Sequence, residues 1–217
     1  MRVKIDLPAA NKPGQFSKVK LCYENFDRET ISVLLNINYV NLYKFTNKKD
    51  GVAFDIFLLG CYVYGIDILL PRKHFSENGW LREIEVDFPV ESPNIFEKGK
   101  IELEQLLSFL TGDSWSISFS KRDTVSMYLP RPQDKVCTEE YKQSFKKVSL
   151  FSGGLDSLVG VIDHLSSSSD KLVLVSHYDG VFKGAKSDQD KICQIFKKKY
   201  SNYHFIQTRV DLSNVDT

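Results

Sequence analysis

The sequence has almost no excess charge: 29 basic residues stand against 28 acidic ones, leaving a formal net charge of +1 over 217 residues. Nothing in that balance implies sequence-independent binding of a polyanion, and nucleic acid is not supported as a partner. Cysteine is scarce. Cys22, Cys61, Cys137 and Cys193 lie far apart, at no metal-ligand spacing and in no compact disulfide framework. They read as reduced packing residues, and zinc is not expected within these residues. An apolar signal core is also missing from Met-Arg-Val-Lys-Ile-Asp-Leu-Pro at the start, which sets a cytoplasmic expectation. What the chain does have is 42% hydrophobic and 12% aromatic residues, enough to pack the core of one large domain or two modest ones.

The longest apolar run, Val52 to Leu70, carries Asp55 and Asp67 and is interrupted by Gly60 and Gly65. Asp50-Gly51 gives it a start and Pro71-Arg72 a stop. It predicts a buried core helix rather than a membrane span, and no membrane is expected as a partner. Before it, Lys18 to Tyr23 and Ile31 to Leu42 read as strands around a polar turn. After it, Ile84, Val86 and Phe88 alternate with Glu83, Glu85 and Asp87, a half-buried strand from Leu81 to Phe88. Ile101 to Thr111 has helical spacing and ends at Gly112. Trp115 to Ser120 alternates again, and Thr124 to Leu129 is expected to pair with it before Pro130 and Pro132 close the segment.

Prolines and charges displace the apolar periodicity between Pro130 and Gln143, which places a boundary there. Beyond it, Lys147 to Phe151, Lys171 to Ser176 and Tyr203 to Val210 read as strands, and Leu155 to Leu165 and Ser187 to Tyr200 as helices. Strict alternation of this kind predicts an α/β domain with a doubly wound parallel sheet, incomplete here, over residues 144–217. An α+β N-terminal domain over 1–143 precedes it.

The informative stretch is Phe151-Ser152-Gly153-Gly154-Leu155-Asp156-Ser157, at the point where a strand turns into a helix. Amides at a helix start point outward with the positive end of the dipole, and glycine lets an anion approach the backbone. The hydroxyls of Ser152 and Ser157 add donors. Asp156 is unexpected in an anion cradle unless it serves a Mg²⁺ that neutralises a polyphosphate. The segment is neither Gly-x-x-x-x-Gly-Lys-Ser/Thr nor Gly-x-Gly-x-x-Gly. The competing reading is a serine-rich turn that caps a helix through Asp156 or Ser157.

Ser-Gly-Gly-Leu-Asp-Ser resembles the phosphate loop of the PP-loop ATP pyrophosphatase superfamily, in the strand-loop-helix context that signature requires. The resemblance implies ATP and Mg²⁺ as cofactors. The loop holds the β and γ phosphates while a carboxylate or amide oxygen attacks the α-phosphorus, so that an adenylate forms and pyrophosphate leaves. It implies Phe151, Ser152, Gly153, Gly154, Leu155, Asp156 and Ser157, with Ser176 and His177 at the end of the next strand, as nucleotide-binding residues. Asp156 and Ser157 take the catalytic roles, and Asp156 supports the metal.

Several families share this loop. Glutamine-dependent asparagine synthetases need a cysteine after the initiator methionine, where this chain has Arg2. The part from Lys147 onward is more similar to the 7-cyano-7-deazaguanine synthase (QueC) family. Phe54-Asp55-Ile56 and the stretch from Tyr64 to Arg72 resemble the extension on QueC-like proteins of the anti-phage Qat system, the QatC type. Ser176 to Gly184 departs from the Tyr-Gly-Gln-Arg/Lys-His segment of QueC enzymes, which puts standard queuosine-precursor synthesis in question. His177, Asp179 and Lys183 stand at a strand end where they could serve ATP or an acyl acceptor, and Asp179-Gly180 reads equally as a plain turn. His164 and His204 read as packing or exposed residues, and Lys197 to Lys199 as a solvated helix end. With only three strands of a parallel sheet present, the second region reads as the first half of such a domain, a fragment or truncated product.

Two functions follow as expectations. One is an ATP-dependent enzyme that adenylates a small carboxylic acid of deazaguanine type in anti-phage defence. The other is a catalytically incomplete module whose N-terminal domain docks partner proteins of a defence complex.

Overall fold

The computed structural model describes residues 1–7, 18–25, 28–48, 50–76, 79–122, 130–180 and 183–214, with the side chains at 183 and 185 outside that set. In chain order the elements are β1 (Arg2–Asp6), β2 (Lys18–Glu24), β3 (Thr30–Asn38), α1 (Val40–Thr46), α2 (Gly51–Leu69), α3 (Arg72–Phe75), β4 (Glu83–Val90), α4 (Pro93–Glu97), α5 (Lys100–Thr111) and β5 (Ser114–Lys121). Then come α6 (Glu139–Gln143), β6 (Phe145–Leu150), α7 (Leu155–Ser167), β7 (Lys171–Tyr178), α8 (Lys183–Lys199) and β8 (Tyr203–Asn214). The class is α/β. Contacts gather these elements into two compact units. The first holds Met1–Asn36, Lys48–Leu129 and Leu212–Thr217, and the second Ile37–Asn47 and Pro130–Asp211.

In the first unit β1 pairs antiparallel with β2 and β2 with β3, while β1 with β4 and β4 with β5 run parallel. The alternation of β4 buries Ile84, Val86 and Phe88 and turns Glu83 and Glu85 to solvent. Helix α2 is long and apolar enough to cross a membrane by length and composition, and half of its most apolar window is buried. It reaches close to the sheet because Gly65 has no side chain. A Cβ there would stand 2.8 Å from Leu35 Cδ1 and 3.0 Å from Leu21 Cδ1. Asp55, which broke the apolar run in the sequence, is buried with its carboxylate 3.0 Å from Arg122 Nη2 and accepting from the Glu91 amide at 2.8 Å. Helix α5 stops where expected, at Gly112 with φ 72°.

The second unit carries β6, β7 and β8 side by side and parallel. Helices α7 and α8 close over one face around Phe151, Val161, Leu165, Leu172, Leu174, Cys193 and Phe196. Burial pushes the Cys193 thiol up to about 11, as expected of a packing residue rather than a nucleophile. Val148 and Leu150 on β6 are exposed, Leu150 at 80%.

One expectation is adjusted. The strand read from Ile31 to Leu42 ends at Asn38, because the Tyr39 backbone turns out of the extended region (φ −122°, ψ 24°) and the Asn38 side chain accepts from the Val40 amide at 3.4 Å, starting α1. The contacts divide at Leu129/Pro130, the start of the Pro130 to Gln143 stretch in which the sequence places a boundary. The 130–143 segment is tied into the second unit by Lys44 to Asp134 at 3.2 Å, by the Cys137 amide to Lys44 O at 2.7 Å, and by Tyr141 against Phe145 at 5.1 Å. The strand expected at Thr124 to Leu129 lies outside the described residues.

Candidate functional site

Phe151, the residue after β6, is buried in the core and fixes the start of the loop. Its amide donates to Val175 O at 2.8 Å and its carbonyl accepts from the Ser176 hydroxyl. The chain then surfaces at Ser152 and turns at Gly153, whose φ of 87° is a backbone shape that side-chain-bearing residues rarely adopt. Gly154, extended at φ −78° and ψ 164°, caps α7 without a side-chain acceptor of its own. Leu158 is the first residue of the helix to bond back, to Gly154 O at 3.0 Å. The amides of the first turn therefore keep the outward direction that makes helix starts anion sites.

Two serines close the loop on itself. Ser152 Oγ accepts from the Gly154 amide at 3.1 Å, Ser157 Oγ donates to Gly154 O at 2.9 Å, and the two hydroxyls stand 3.1 Å apart. With the Ser157 proton on Gly154 O, Ser152 is the donor between them. Asp156 and Leu155 project to solvent from the first turn. No group of three or more His, Cys, Asp or Glu gathers among the described residues, so a Mg²⁺ beside Asp156 would take the rest of its oxygen ligands from phosphate and water.

Beneath the loop lies Gln189 of α8, at 0% exposure. Its Nε2 donates to Ser152 O at 3.0 Å and to His177 O at 3.2 Å, and its Oε1 accepts from Gln207 Nε2 at 2.8 Å. The backbone of Gly153 lies against it, since a Cβ there would be 3.1 Å from Gln189 Cγ. Sequence reasoning missed this residue. The signal was present, because Gln189 falls at helical spacing on the same stripe as Ile192, Cys193 and Phe196, a polar residue where the pattern asks for an apolar one.

At the end of β7, Ser176 and His177 part company. Ser176 is buried, and besides its bond to Phe151 O its own carbonyl accepts from Thr208 Oγ1 at 3.2 Å. His177 is exposed and, by strand alternation, on the opposite face. Asp179 borders a cavity of about 500 Å³ with Tyr178, Gly180, Lys186, Asp190 and Arg209 among its walls. Its three cations are already paired: Lys186 with Asp190, which holds the ammonium above its ordinary range, Lys191 with Asp188 at 3.7 Å, and Arg209 with Asp211. The side chain of Lys183 lies outside the described residues. His164 sits by the end of α7 with Nε2 3.3 Å from Asp170 O. His204 is boxed by Phe45 at 4.8 Å and Tyr141 at 5.8 Å between ring centres.

The structure thus brings Phe151, Ser152, Gly153, Gly154, Ser157 and Ser176 into one bonded turn and reaches the His177 backbone through Gln189. Comparison with family models, with curated proteins and with solved structures found no match.

Proposed function

We propose that the second unit is a PP-loop nucleotide site and that the protein uses ATP to adenylate a small carboxylic acid, releasing pyrophosphate. The observation that carries the reading is the turn from Ser152 to Ser157, a strand-to-helix transition with left-handed Gly153, two facing hydroxyls and an outward helix start. In the reaction a carboxylate oxygen bonds to the α-phosphorus and the bond to the bridging oxygen breaks, so the pyrophosphate carries away the electron pair. The loop contributes alignment and charge stabilisation of that leaving group and no covalent nucleophile. Ser152, Gly153, Gly154 and Ser157 hold the pyrophosphate portion, and Asp156 supports a Mg²⁺, which supplies neutralising charge when bound. A deazaguanine-type acid and a place in anti-phage defence complete the proposal on the sequence resemblance alone. Calorimetry with ATP and Mg²⁺ tests it: binding lost in Gly153→Val and Asp156→Ala supports the site, and binding retained in both sinks it. Pyrophosphate release on adding candidate acids then identifies the substrate.

A second reading, a docking module for partner proteins, is favoured by one feature of the first unit. Helix α5 turns Ile101, Leu106, Phe109 and Leu110 outward, Phe109 at 86% exposure, a larger cluster than scattered surface apolar residues make. Absence of pyrophosphate release, together with partner capture abolished by Phe109→Ser, would favour this reading over the first.

A further inference from the structure

We infer that Gln189 is the positioning residue of the phosphate loop, aiming the Gly153 amide outward, and that Gln207 fixes its orientation. The inference rests on the reading of the loop as a phosphate site. Two backbone carbonyls, Ser152 O and His177 O, face the same side-chain amide of the buried Gln189. Only an NH₂ group can serve both, which forces Gln189 Oε1 toward Gln207 and requires the Gln207 NH₂ to face it in turn, at 2.8 Å. The orientation of both amides is therefore set by chemistry, with no alternative flip that satisfies all four groups.

The consequence for the loop follows from the planarity of the peptide bond. In a trans peptide the carbonyl of Ser152 and the N–H of Gly153 point in opposite directions. Holding Ser152 O against Gln189 turns the Gly153 N–H away from α8 and toward the open side of the loop. Gln189 Cγ stands where a Cβ on Gly153 would come within 3.1 Å of it, which leaves little room for the loop to settle inward. A leucine of similar size would fill the space and leave both carbonyls without a donor. A glutamate would keep the shape and replace the donors with acceptors.

The test uses the full chain with Gln189→Leu, Gln189→Glu and Gln207→Leu, and pyrophosphate-Mg²⁺ and ATP-Mg²⁺ as probes. Calorimetry is expected to show affinity for both probes falling about tenfold to a hundredfold in Gln189→Leu and less in Gln207→Leu, because loss of buried hydrogen bonds frees the loop. In Gln189→Glu the introduced carboxyl sits in a buried place that favours its neutral form. Its affinity relative to the unaltered protein should recover as pH falls and the carboxyl regains a donor, a change that a purely space-filling role would not produce. Hydrogen exchange without ligand gives an independent readout, with the Gly154 amide exchanging faster in Gln189→Leu. Unchanged affinity and unchanged exchange in a folded Gln189→Leu overturn the inference. If the unaltered protein binds neither probe, the nucleotide reading fails and the aiming of Gly153 at phosphate falls with it, while the exchange data alone decide whether Gln189 holds the loop. Should Gln189→Leu not fold, the pH-dependent ratio in Gln189→Glu and the loss in Gln207→Leu decide, and a flat ratio with no loss overturns it.

Discussion

The two units use polar groups in opposite ways. In the first, Arg82 is buried at 2% exposure and meets the Asp113 carboxylate with its amide and its guanidinium, while Arg72 reaches the same carboxylate at 2.6 and 3.0 Å. Asp67 and the Leu70 carbonyl take the rest of the Arg82 donors. Burial alone would push the Asp113 carboxyl up, but the bonds from Arg82 and Arg72 outweigh it and hold it below its ordinary value. In the second unit the serine-glycine turn carries one charge, Asp156, which faces solvent, and its serines and Gly154 are bonded mainly to one another and to Gln189. Groups with perturbed acidity in a folded chain are not thereby its reactive ones. In the Arg82 network the donors and acceptors cross-link separate segments, whereas in the loop most of them close one short turn on itself.

The sharpest way to break this contrast is Asp113→Ala, which takes from the buried Arg82 guanidinium its one fully buried carboxylate and leaves it the part-exposed Asp67. It should cost about 3–5 kcal/mol in urea unfolding followed by tryptophan fluorescence, as expected when one partner of a buried pair is removed. Both tryptophans, Trp80 and Trp115, lie in the first unit and report on it. A loss under about 1 kcal/mol would mean that the network is not a cross-link. The pH dependence has a definite sign. With its folded value below the unfolded 3.8, Asp113 contributes stability above that pH and loses it as pH falls through the folded value. Asp113→Asn should flatten that acid limb.

Next in size is Gly153→Val. Valine at φ 87° is strained, and its side chain would press on Gln189, so a stability loss of about 1–3 kcal/mol is expected alongside the loss of ATP binding. Intact binding would show that the turn does not face the phosphate. A smaller step is Ser157→Ala, which removes one hydroxyl from an accessible pair. It should weaken ATP-Mg²⁺ binding by about five- to tenfold, with little change in unfolding, since a hydrogen bond lost at an accessible site is worth about 1 kcal/mol. A stability loss as large as that of Asp113→Ala would erase the distinction between the units.

Part of the fold was legible in the sequence. The alternation of Glu83 to Phe88 announced a strand with one buried face, the Gly112 stop was placed correctly, and the Ser152 to Ser157 segment lies at a strand-helix junction as its residues required. Helix α1 was not legible. Val40-Asn41-Leu42 continues a strand-like pattern, and what turns it into helix is the Asn38 side chain together with burial of Tyr43 and packing of Phe45 on Phe145 at 5.7 Å. Local preference gave way there to tertiary contacts far away in the chain. The same reason hid the division of the chain, since the second unit takes in Ile37–Asn47, a segment separated from it by all of α2 to β5. Gln189 escaped because its role depends on two carbonyls that only the folded loop brings together.

The smallest expected effect separates the units by acid. His204 stacks on Phe45 and places Nδ1 3.2 Å from the Tyr141 hydroxyl, and burial lowers its pKa from the ordinary 6.5. The folded state therefore favours the neutral ring, while the unfolded chain takes up a proton near 6.5. Stability from this residue is complete above that pH and falls as pH drops from 6.5 toward the folded value, because the unfolded state then binds more protons. The Arg82 network keeps its strength over that range and yields only below 3.8. Hydrogen exchange of β7 amides between pH 7 and 5, corrected for intrinsic rates, should show protection lost in the second unit while tryptophan emission from the first stays constant. His204→Phe, which keeps the ring packing and removes the titrating group, should abolish that loss of protection. If protection still falls in His204→Phe, the acid sensitivity of the second unit lies in another group and not in its aromatic box.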